Sequence, residues 1–548
     1  MKELNDINFL LQRDWRESKI PQIGRESWIT VYDSLHNEIE NSGIYCALIP
    51  SDKLEKSLSN YSWDLMVGNG MPGCSVYYDG KDETVSYHRF GDDDGIEPLI
   101  VLRDFHGIYP DFLELTEEYR HFHNLFFKQA ENVFIKITDD GNEEIVARMF
   151  ERKIELRLRE VREFLAIKEM HLAIFFDVVR YSTVDVDEEF ADKQKVNLKE
   201  DLAHYDFHIQ TKHNFPLFDE KSAFSRLLGK KLITPLSKER SRKFPYNEEK
   251  QKDFEDFIIG TDENSDPIMY TCNPDKLANY FGKNPDAPNY LTPIFFKRDV
   301  LGKYYSNPDR YSIEDGYIRC AGLWGLRIDN NHSKYIIVYL GDLGNDIYHS
   351  EQRYWKSFNI SPDGGISRVA FERNFQARFT DPETPDLLFK LMFRELNKKW
   401  EKHFGWKIFL PLTKEDLHFY TSLRIPINDS QAEFDNQVLA LTKVLIDSLN
   451  EKQITNALGG SLENEKGISK FERFLDGNNF TNHSAHISFL RDLQDLRSKG
   501  TAHRKGSQYP KIAQKFDIGK KSSAEIFQDI LRRAIDLLKF LETNLPVT

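Results

Sequence analysis

Residues 484–506 read SAHISFLRDLQDLRSKGTAHRKG, and this stretch determines the fold expected for the C-terminal part of the chain. Its apolar residues recur every third position and therefore share one face of a helix. They are Ile487, Leu490, Leu493 and Leu496. Gly500 predicts the end of that helix. The apolar face predicts a helix that packs into a bundle and runs out into a basic turn.

Arg497 and His503 lie on either side of the predicted helix end. An imidazole has an unperturbed pKa of about 6.5 and exchanges a proton near neutral pH. A guanidinium holds a phosphate by a two-pronged contact and stabilises the charge that develops on it. An arginine and a histidine a few ångströms apart can therefore cleave a phosphodiester without a metal, but the spacing alone does not identify such a site. A second such pair, Arg327 and His332, is interpreted as a surface loop because Asp329-Asn-Asn between them indicates a turn.

From residue 430 onward the sequence pattern is helical throughout. The capping-box sequences Ser430–Glu433 and Ser522–Glu525 predict two helix starts. A shorter helix is predicted at KGISKFERFLDG, before the helix of residues 484–496. Four amphipathic helices in about 120 residues predict that residues 426–548 form an all-α four-helix bundle.

The preceding part of the chain has the composition of a multidomain, mixed α/β protein. Residues 1–215 predict a mixed α/β N-terminal domain, and 216–425 predict a mixed α/β central region with a polar insertion at about 216–290. Strands are predicted on both sides of the Asp140-Gly141 turn and at 171–179. Helices are predicted at 111–127, 153–170 and 385–405, and a loop at 349–367.

Composition limits the class of protein. No apolar run approaches the ~20 residues of a membrane span, and no signal-peptide core is present at the N-terminus, so a cytoplasmic protein is expected. The cysteines are widely separated, which predicts free thiols in a reducing compartment. They are Cys46, Cys74, Cys272 and Cys320. The net charge of −14 indicates that any nucleic-acid site is a local positive patch.

Residues 497–521 provide such a patch, with eight Lys or Arg side chains and one Asp, a local charge of +7. We interpret this segment as a phosphate-binding track that leads to His503, with Lys499, Arg504 and Lys505 as the predicted nucleic-acid-binding residues. The alternative is a solvated basic loop that complements the negative end of the helix dipole.

A C-terminal bundle with LRSKGTAHR at the end of its third long helix resembles the HEPN superfamily. Many members are ribonucleases of prokaryotic toxin and antiphage systems, and their signature is an arginine, four to six residues, then a histidine. Arg497 and His503 match it, and Ser498 occupies the following position, where the family carries an accessory polar residue. The resemblance covers about 120 of 548 residues.

The resemblance implies metal-independent RNA cleavage with no cofactor. The 2′-hydroxyl would attack the adjacent phosphate, His503 would act as general acid or base, and Arg497 would stabilise the pentacoordinate phosphate.

The resemblance also implies a homodimer through the bundle, since members pair two Arg/His sets, and a role in antiphage defence or growth arrest. Residues 1–425 would then sense a phage-derived or cellular trigger. The alternative is a non-catalytic bundle for dimerisation or nucleotide binding, with the N-terminal region as the functional sensor.

Other motifs are weaker. Gly68-Asn-Gly-Met-Pro-Gly73 matches a dinucleotide-binding string, but a predicted strand follows it where a helix is required. His121 and His123 are two positions apart and do not share a helical face, so a metal site is not expected there. His349-Ser-Glu351 lacks the cysteine pair of a zinc deaminase.

Overall fold

The computed structural model describes residues 5–63, 70–90, 95–212, 221–238, 241, 253–501 and 509–545. The chain divides into two compact units, Met1–Gln251 and Lys252–Thr548. Both belong to a mixed α/β protein, with a large antiparallel sheet in the first unit and helices in the C-terminal part of the second.

The first unit is built on a ten-stranded antiparallel sheet, whose order is β12-β13-β14-β11-β2-β1-β10-β9-β8-β7. The described strands of this unit are β1 Trp28–His36, β2 Glu40–Pro50, β3 Gly73–Asp79, β4 Asp82–His88, β5 Ile100–Arg103, β6 Phe112–Leu115, β7 Phe126–Lys128, β8 Val133–Ile137, β9 Glu143–Met149, β10 Lys153–Arg157, β11 Met170–Ser182, β12 Val196–Glu200, β13 Ala203–Thr211 and β14 Ala223–Ile233. β3 pairs with β4, and β5 pairs with β6, in separate hairpins.

β11 is an interior strand of this sheet: its apolar residues are buried on both faces, and it pairs with β2 and β14 along most of its length. β14 belongs to this sheet although its residues fall within the stretch 216–290 for which the sequence predicts a polar insertion. The helices of the unit are α1 Ile7–Leu10, α2 Ile20–Gln22, α3 Leu54–Ser57, α4 Glu117–Phe122, α5 Leu158–Lys168 and α6 Glu188–Lys193, with a π-helical turn at Asp14–Lys19 and a 3-10 turn at Ser51–Lys53.

The second unit begins with small antiparallel sheets. Its strands are β15 Asp256–Thr261, β16 Pro267–Thr271, β17 Pro293–Lys297, β18 Tyr311–Glu314, β19 Tyr317–Cys320, β20 Trp324–Arg327, β21 Tyr335–Tyr339 and β22 Asn359–Ile360. They form the hairpin β15-β16 and the three-stranded sheets β21-β17-β22 and β18-β19-β20.

Helices form the rest of the second unit. They are α7 Gly302–Tyr305, α8 Leu340–Asp346, α9 His349–Lys356, α10 Arg368–Phe375, α11 Pro385–Phe404, α12 Leu417–Thr421, α13 Gln431–Thr442, α14 Glu451–Ala457, α15 Gly467–Gly477, α16 Ser484–Leu496, α17 Tyr509–Lys515 and α18 Ser523–Thr543. 3-10 turns occupy Pro274–Lys276 and Arg298–Leu301. π-helical turns at Lys443–Asp447 and Arg497–Thr501 continue α13 and α16 without a break.

The C-terminal helices share one apolar core with α11, which lies before residue 426. Phe389, Leu396 and Trp400 of α11 are buried together with the apolar faces of α13, α15, α16 and α18. The full capping box predicted at Ser522 and Glu525 is present and fixes the start of α18. None of the helices in the described part of the chain combines the length and the apolar character needed to cross a lipid bilayer.

Several predicted elements are wrong. Residues 111–127 form the strands β6 and β7 around the short helix α4, not one helix. Residues 153–157 form β10, so the helix predicted from 153 begins at Leu158. Residues 349–356 form α9 where a loop is predicted. In each case long-range pairing or burial decides between the strand, helix and loop that the local pattern allows.

Candidate functional site

The π-helical ends of α13 and α16 bring Arg497 next to Asp447. Asp447 is the last residue of the turn Lys443–Asp447, and Arg497 is the first residue of the turn Arg497–Thr501. π-helical turns are rare and occur frequently at functional sites. The two π-helical turns therefore meet at the contact between Arg497 and Asp447.

The Arg497 guanidinium is held by charge-assisted hydrogen bonds. Its Nη1 donates to both carboxylate oxygens of Asp447, each at 3.1 Å. Lys443 Nζ lies 3.8 Å from Oδ2 of the same carboxylate, so two cations neutralise Asp447. The Arg497 side chain is 27% exposed, and its partner is 31% exposed. An anion from solvent can therefore reach the guanidinium while Asp447 fixes its direction.

Ser498 and Lys499 both contact Asp495, which lies one helical turn before them. The Ser498 hydroxyl donates to the backbone carbonyl of Asp495 at 3.2 Å, and Lys499 Nζ donates to its Oδ2 at 2.8 Å. Both side chains thus stabilise the junction between α16 and the π-helical turn. The Ser498 hydroxyl supports the position of Arg497 through the backbone.

His503, Arg504 and Lys505 lie outside the described residues. The predicted approach of His503 to Arg497, and the predicted RNA contacts of Arg504 and Lys505, therefore remain predictions from sequence.

The described basic residues of 497–521 are largely compensated by acids of neighbouring elements. Lys515 Nζ donates to Asp492 of α16 at 2.5 Å, and Lys521 Nζ donates to Asp529 of α18 at 2.7 Å. The Asp529 carboxylate raises the pKa of Lys521 by direct hydrogen bonding. The net charge of the folded surface around residues 497–521 is consequently smaller than the +7 of the segment alone.

Sequence reasoning missed Asp447, the carboxylate that orients Arg497. Asp447 lies two positions after the buried Leu445, in the π-helical turn that continues α13, and nothing in its spacing distinguishes it from the other acids of this chain. Its role depends on contact between positions 50 apart in the sequence. Only the register between two helices reveals that contact.

The second Arg–His pair is not the predicted surface loop. Asp329, Asn330 and Asn331 are buried, with exposures of 8%, 3% and 7%. The Asp329 carboxylate accepts from both the backbone amide and the hydroxyl of Ser367, each at 2.7 Å. The turn signal is correct, but the turn is folded into the core of the second unit because its polar groups find partners there.

Comparison with protein-family models, with curated proteins and with solved structures finds no match for this chain.

Proposed function

We propose that the chain is a regulated, metal-independent endoribonuclease whose residues 426–548 form an HEPN-like four-helix bundle. Arg497 and His503 are its catalytic residues. Support for the bundle comes from α13, α15, α16 and α18, which share one apolar core. In this proposal residues 1–425 restrain or trigger the nuclease.

The observation that carries the proposal is the orientation of Arg497. Its guanidinium is part-exposed, fixed by Asp447 at 3.1 Å, and begins a π-helical turn six positions before His503. Guanidinium hydrogen bonds that are already oriented stabilise a developing phosphate charge without reorganising during the reaction. The oriented, part-exposed guanidinium thus supports the assignment of Arg497 as the residue that stabilises the phosphate.

The reaction proceeds through the ribose 2′-hydroxyl. Its oxygen attacks the adjacent phosphorus while a base removes its proton, and the bond from phosphorus to the 5′-oxygen breaks as an acid protonates the leaving oxygen. The products are a 2′,3′-cyclic phosphate and a 5′-hydroxyl. Arg497 stabilises the pentacoordinate phosphate, and His503 supplies one of the two proton transfers.

One histidine cannot serve as base and acid at the same moment. We therefore propose a homodimer through the bundle, in which two Arg/His sets face a shared cleft. RNA is the substrate, and antiphage defence or growth arrest in the cytoplasm is the proposed role. A phage-derived or cellular trigger would act through the N-terminal region.

The second candidate is a non-catalytic bundle for dimerisation or nucleotide binding. The ion pairs of Lys499, Lys515 and Lys521 with nearby acids favour it, since they consume charges that a phosphate track would use. The two candidates differ in whether RNA is broken.

The test is incubation of the purified chain with an end-labelled RNA and a DNA of the same sequence, both in EDTA. The proposal predicts cleavage of the RNA alone, with 2′,3′-cyclic phosphate ends. A matched RNA with a single 2′-deoxy substitution at the mapped cleavage position should resist cutting there. Cleavage of the DNA, or activity that EDTA abolishes, would contradict the proposal.

A further inference from the structure

A cavity of about 380 Å³ lies in the second unit, far along the chain from Arg497. Its floor is the polar face of the sheet β18-β19-β20. Glu314, Tyr317, Arg319 and Arg327 line the cavity from this face, whereas the residues between them are mostly buried on the opposite face. β21 and α10 form the other walls. The volume lies within the usual range of small-ligand pockets.

Two of the lining arginines have no carboxylate within 4 Å among the residues that the structure describes; these are Arg319 and Arg327. Both are exposed at the cavity. The Arg319 guanidinium lies 4.7 Å from the centre of the Tyr317 ring, which holds it by a cation–π contact. The third lining arginine, Arg373, is bound to Asp315 through two hydrogen bonds of 2.9 and 2.6 Å. Neither guanidinium is therefore paired with a described carboxylate at close range, and both can contact an anionic ligand, while Arg327 also interacts electrostatically with the more distant Asp342.

The acidic residues that line the cavity differ in how many hydrogen-bond partners their carboxylates already have. Asp315 is bound by Arg373 and by the Asn331 amide at 2.6 Å, and Asp329 is bound by Ser367. Glu314 is exposed and lies opposite Tyr317 in the β18-β19 register. Its carboxylate is thus the lining acid that is able to accept a hydrogen bond from a ligand.

The remaining walls suit a flat, partly apolar group. Tyr339 lines the cavity beside Val369 and Ala370 of α10, and its hydroxyl accepts from the Asn374 amide at 3.1 Å. Aromatic and small apolar side chains accommodate a planar base by stacking and dispersion.

We propose that this cavity binds a nucleoside monophosphate that carries an amino group on its base. Arg319 and Arg327 hold the phosphate, Tyr339 contacts the base, and Glu314 accepts from the exocyclic amino group. This proposal concerns binding alone and does not rest on the proposed nuclease function, because it is measured in the absence of RNA.

The test is calorimetric titration of the full chain with five probes: CMP, AMP, UMP, cytidine and ribose 5-phosphate. CMP or AMP, which both carry the amino group, should bind most tightly. UMP, which has a carbonyl in place of the amino group, should bind about fivefold more weakly, and cytidine and ribose 5-phosphate at least tenfold more weakly. Arg319→Gln and Arg327→Gln should each weaken CMP binding about tenfold.

Arg353→Gln is the matched control, because it removes the same charge from an exposed position of α9 outside the cavity, and it should bind CMP like the wild type. Glu314→Gln should remove the preference for CMP over UMP. The proposal is overturned if neither CMP nor AMP binds at millimolar concentration, if ribose 5-phosphate binds as tightly as CMP, or if the cavity variants match the control.

Discussion

Arg497 and Asp447 are joined by two 3.1 Å hydrogen bonds that connect the π-helical ends of α13 and α16. The contact fixes the direction of the one described side chain to which the proposed mechanism assigns a catalytic role. It also means that a phosphate must share the guanidinium with a resident carboxylate. In the proposed mechanism Asp447 is therefore a positioning residue, and we expect its removal to slow turnover without weakening phosphate binding.

Asp447→Asn tests this positioning. The amide keeps one acceptor oxygen but loses the charge. It therefore orients Arg497 less firmly and competes less strongly with a phosphate for the guanidinium. We expect kcat for RNA cleavage to fall about tenfold, equivalent to ~1.4 kcal/mol, while KM stays equal or decreases. Steady-state kinetics on an end-labelled RNA measures both constants.

Glu472→Gln is the control for that variant. Glu472 of α15 pairs with Arg491 of α16 at 2.5 Å, and its side chain is about as exposed as that of Asp447. It should leave kcat unchanged, and both variants should alter the free energy of unfolding by less than about 1 kcal/mol. Equal kinetic effects of the two substitutions would show that Asp447 acts only through stability.

His486 provides a prediction for pH. Its ring stacks on Phe540 with centroids 4.6 Å apart, and burial lowers its pKa below the usual value, with His483 adding to the shift and Asp536 opposing it. The unfolded chain therefore takes up the proton first. The stabilisation from neutral His486 is complete above about pH 6.5 and is lost as the pH falls through the folded-state pKa.

His486→Phe keeps the stacked ring and removes the titration. Urea unfolding at pH 7.5 and at pH 5.0 should show a smaller loss of stability for the variant than for the wild type. Equal losses in the two proteins would exclude a contribution from His486.

Glu351 is predicted to stabilise the second unit. It is 2% exposed, accepts from the Tyr304 hydroxyl at 2.7 Å, and forms an ion pair with Lys303. Tyr304 in turn accepts from Trp355 Nε1 at 2.7 Å. Glu351→Ala leaves the buried Tyr304 hydroxyl without its acceptor and Lys303 without its ion-pair partner, and should destabilise the unit by about 3 kcal/mol in urea unfolding.

Glu351→Gln is the milder companion, since its carbonyl still accepts from Tyr304. It should cost about 1 kcal/mol. If Ala and Gln cost the same, the Tyr304 hydrogen bond contributes nothing measurable and the ion pair accounts for the whole effect.

Gly325→Ala links the sheet to the proposed nucleotide cavity. A Cβ at this position would lie 2.3 Å from the Tyr317 hydroxyl, so the ring has to move and Arg319 loses the surface that supports it. We expect CMP binding to weaken about fivefold. The unfolding free energy should change little, because the Tyr317 side chain is part-exposed and can move aside. Unchanged binding would indicate that Tyr317 does not position Arg319.

Local signals in the sequence predicted the elements with strong periodicity or defined end residues. The helices α11 and α18, the strand β11 and the hairpin of β8 and β9 around Gly141 all appear where the pattern places them. In these segments the apolar spacing and the turn or cap residues agree with the burial that the fold imposes.

The order of the ten-stranded sheet could not be read from the sequence. β2 pairs with β11 and β1 pairs with β10, contacts that span more than one hundred residues and leave no local pattern. The contact between Asp447 and Arg497 likewise leaves no local pattern in the sequence. Periodicity identifies which face of a helix is buried, but the partner of an exposed polar residue depends on helix register.

The rate of RNA cleavage in EDTA under single-turnover conditions, measured for the wild type and for His503→Ala, decides whether His503 is catalytic. His121→Ala, an exposed histidine of α4, is the control. We expect His503→Ala to lower the rate about a thousandfold, whereas His121→Ala should cleave RNA at the wild-type rate. Cleavage by His503→Ala at the wild-type rate would contradict the assignment of the active site.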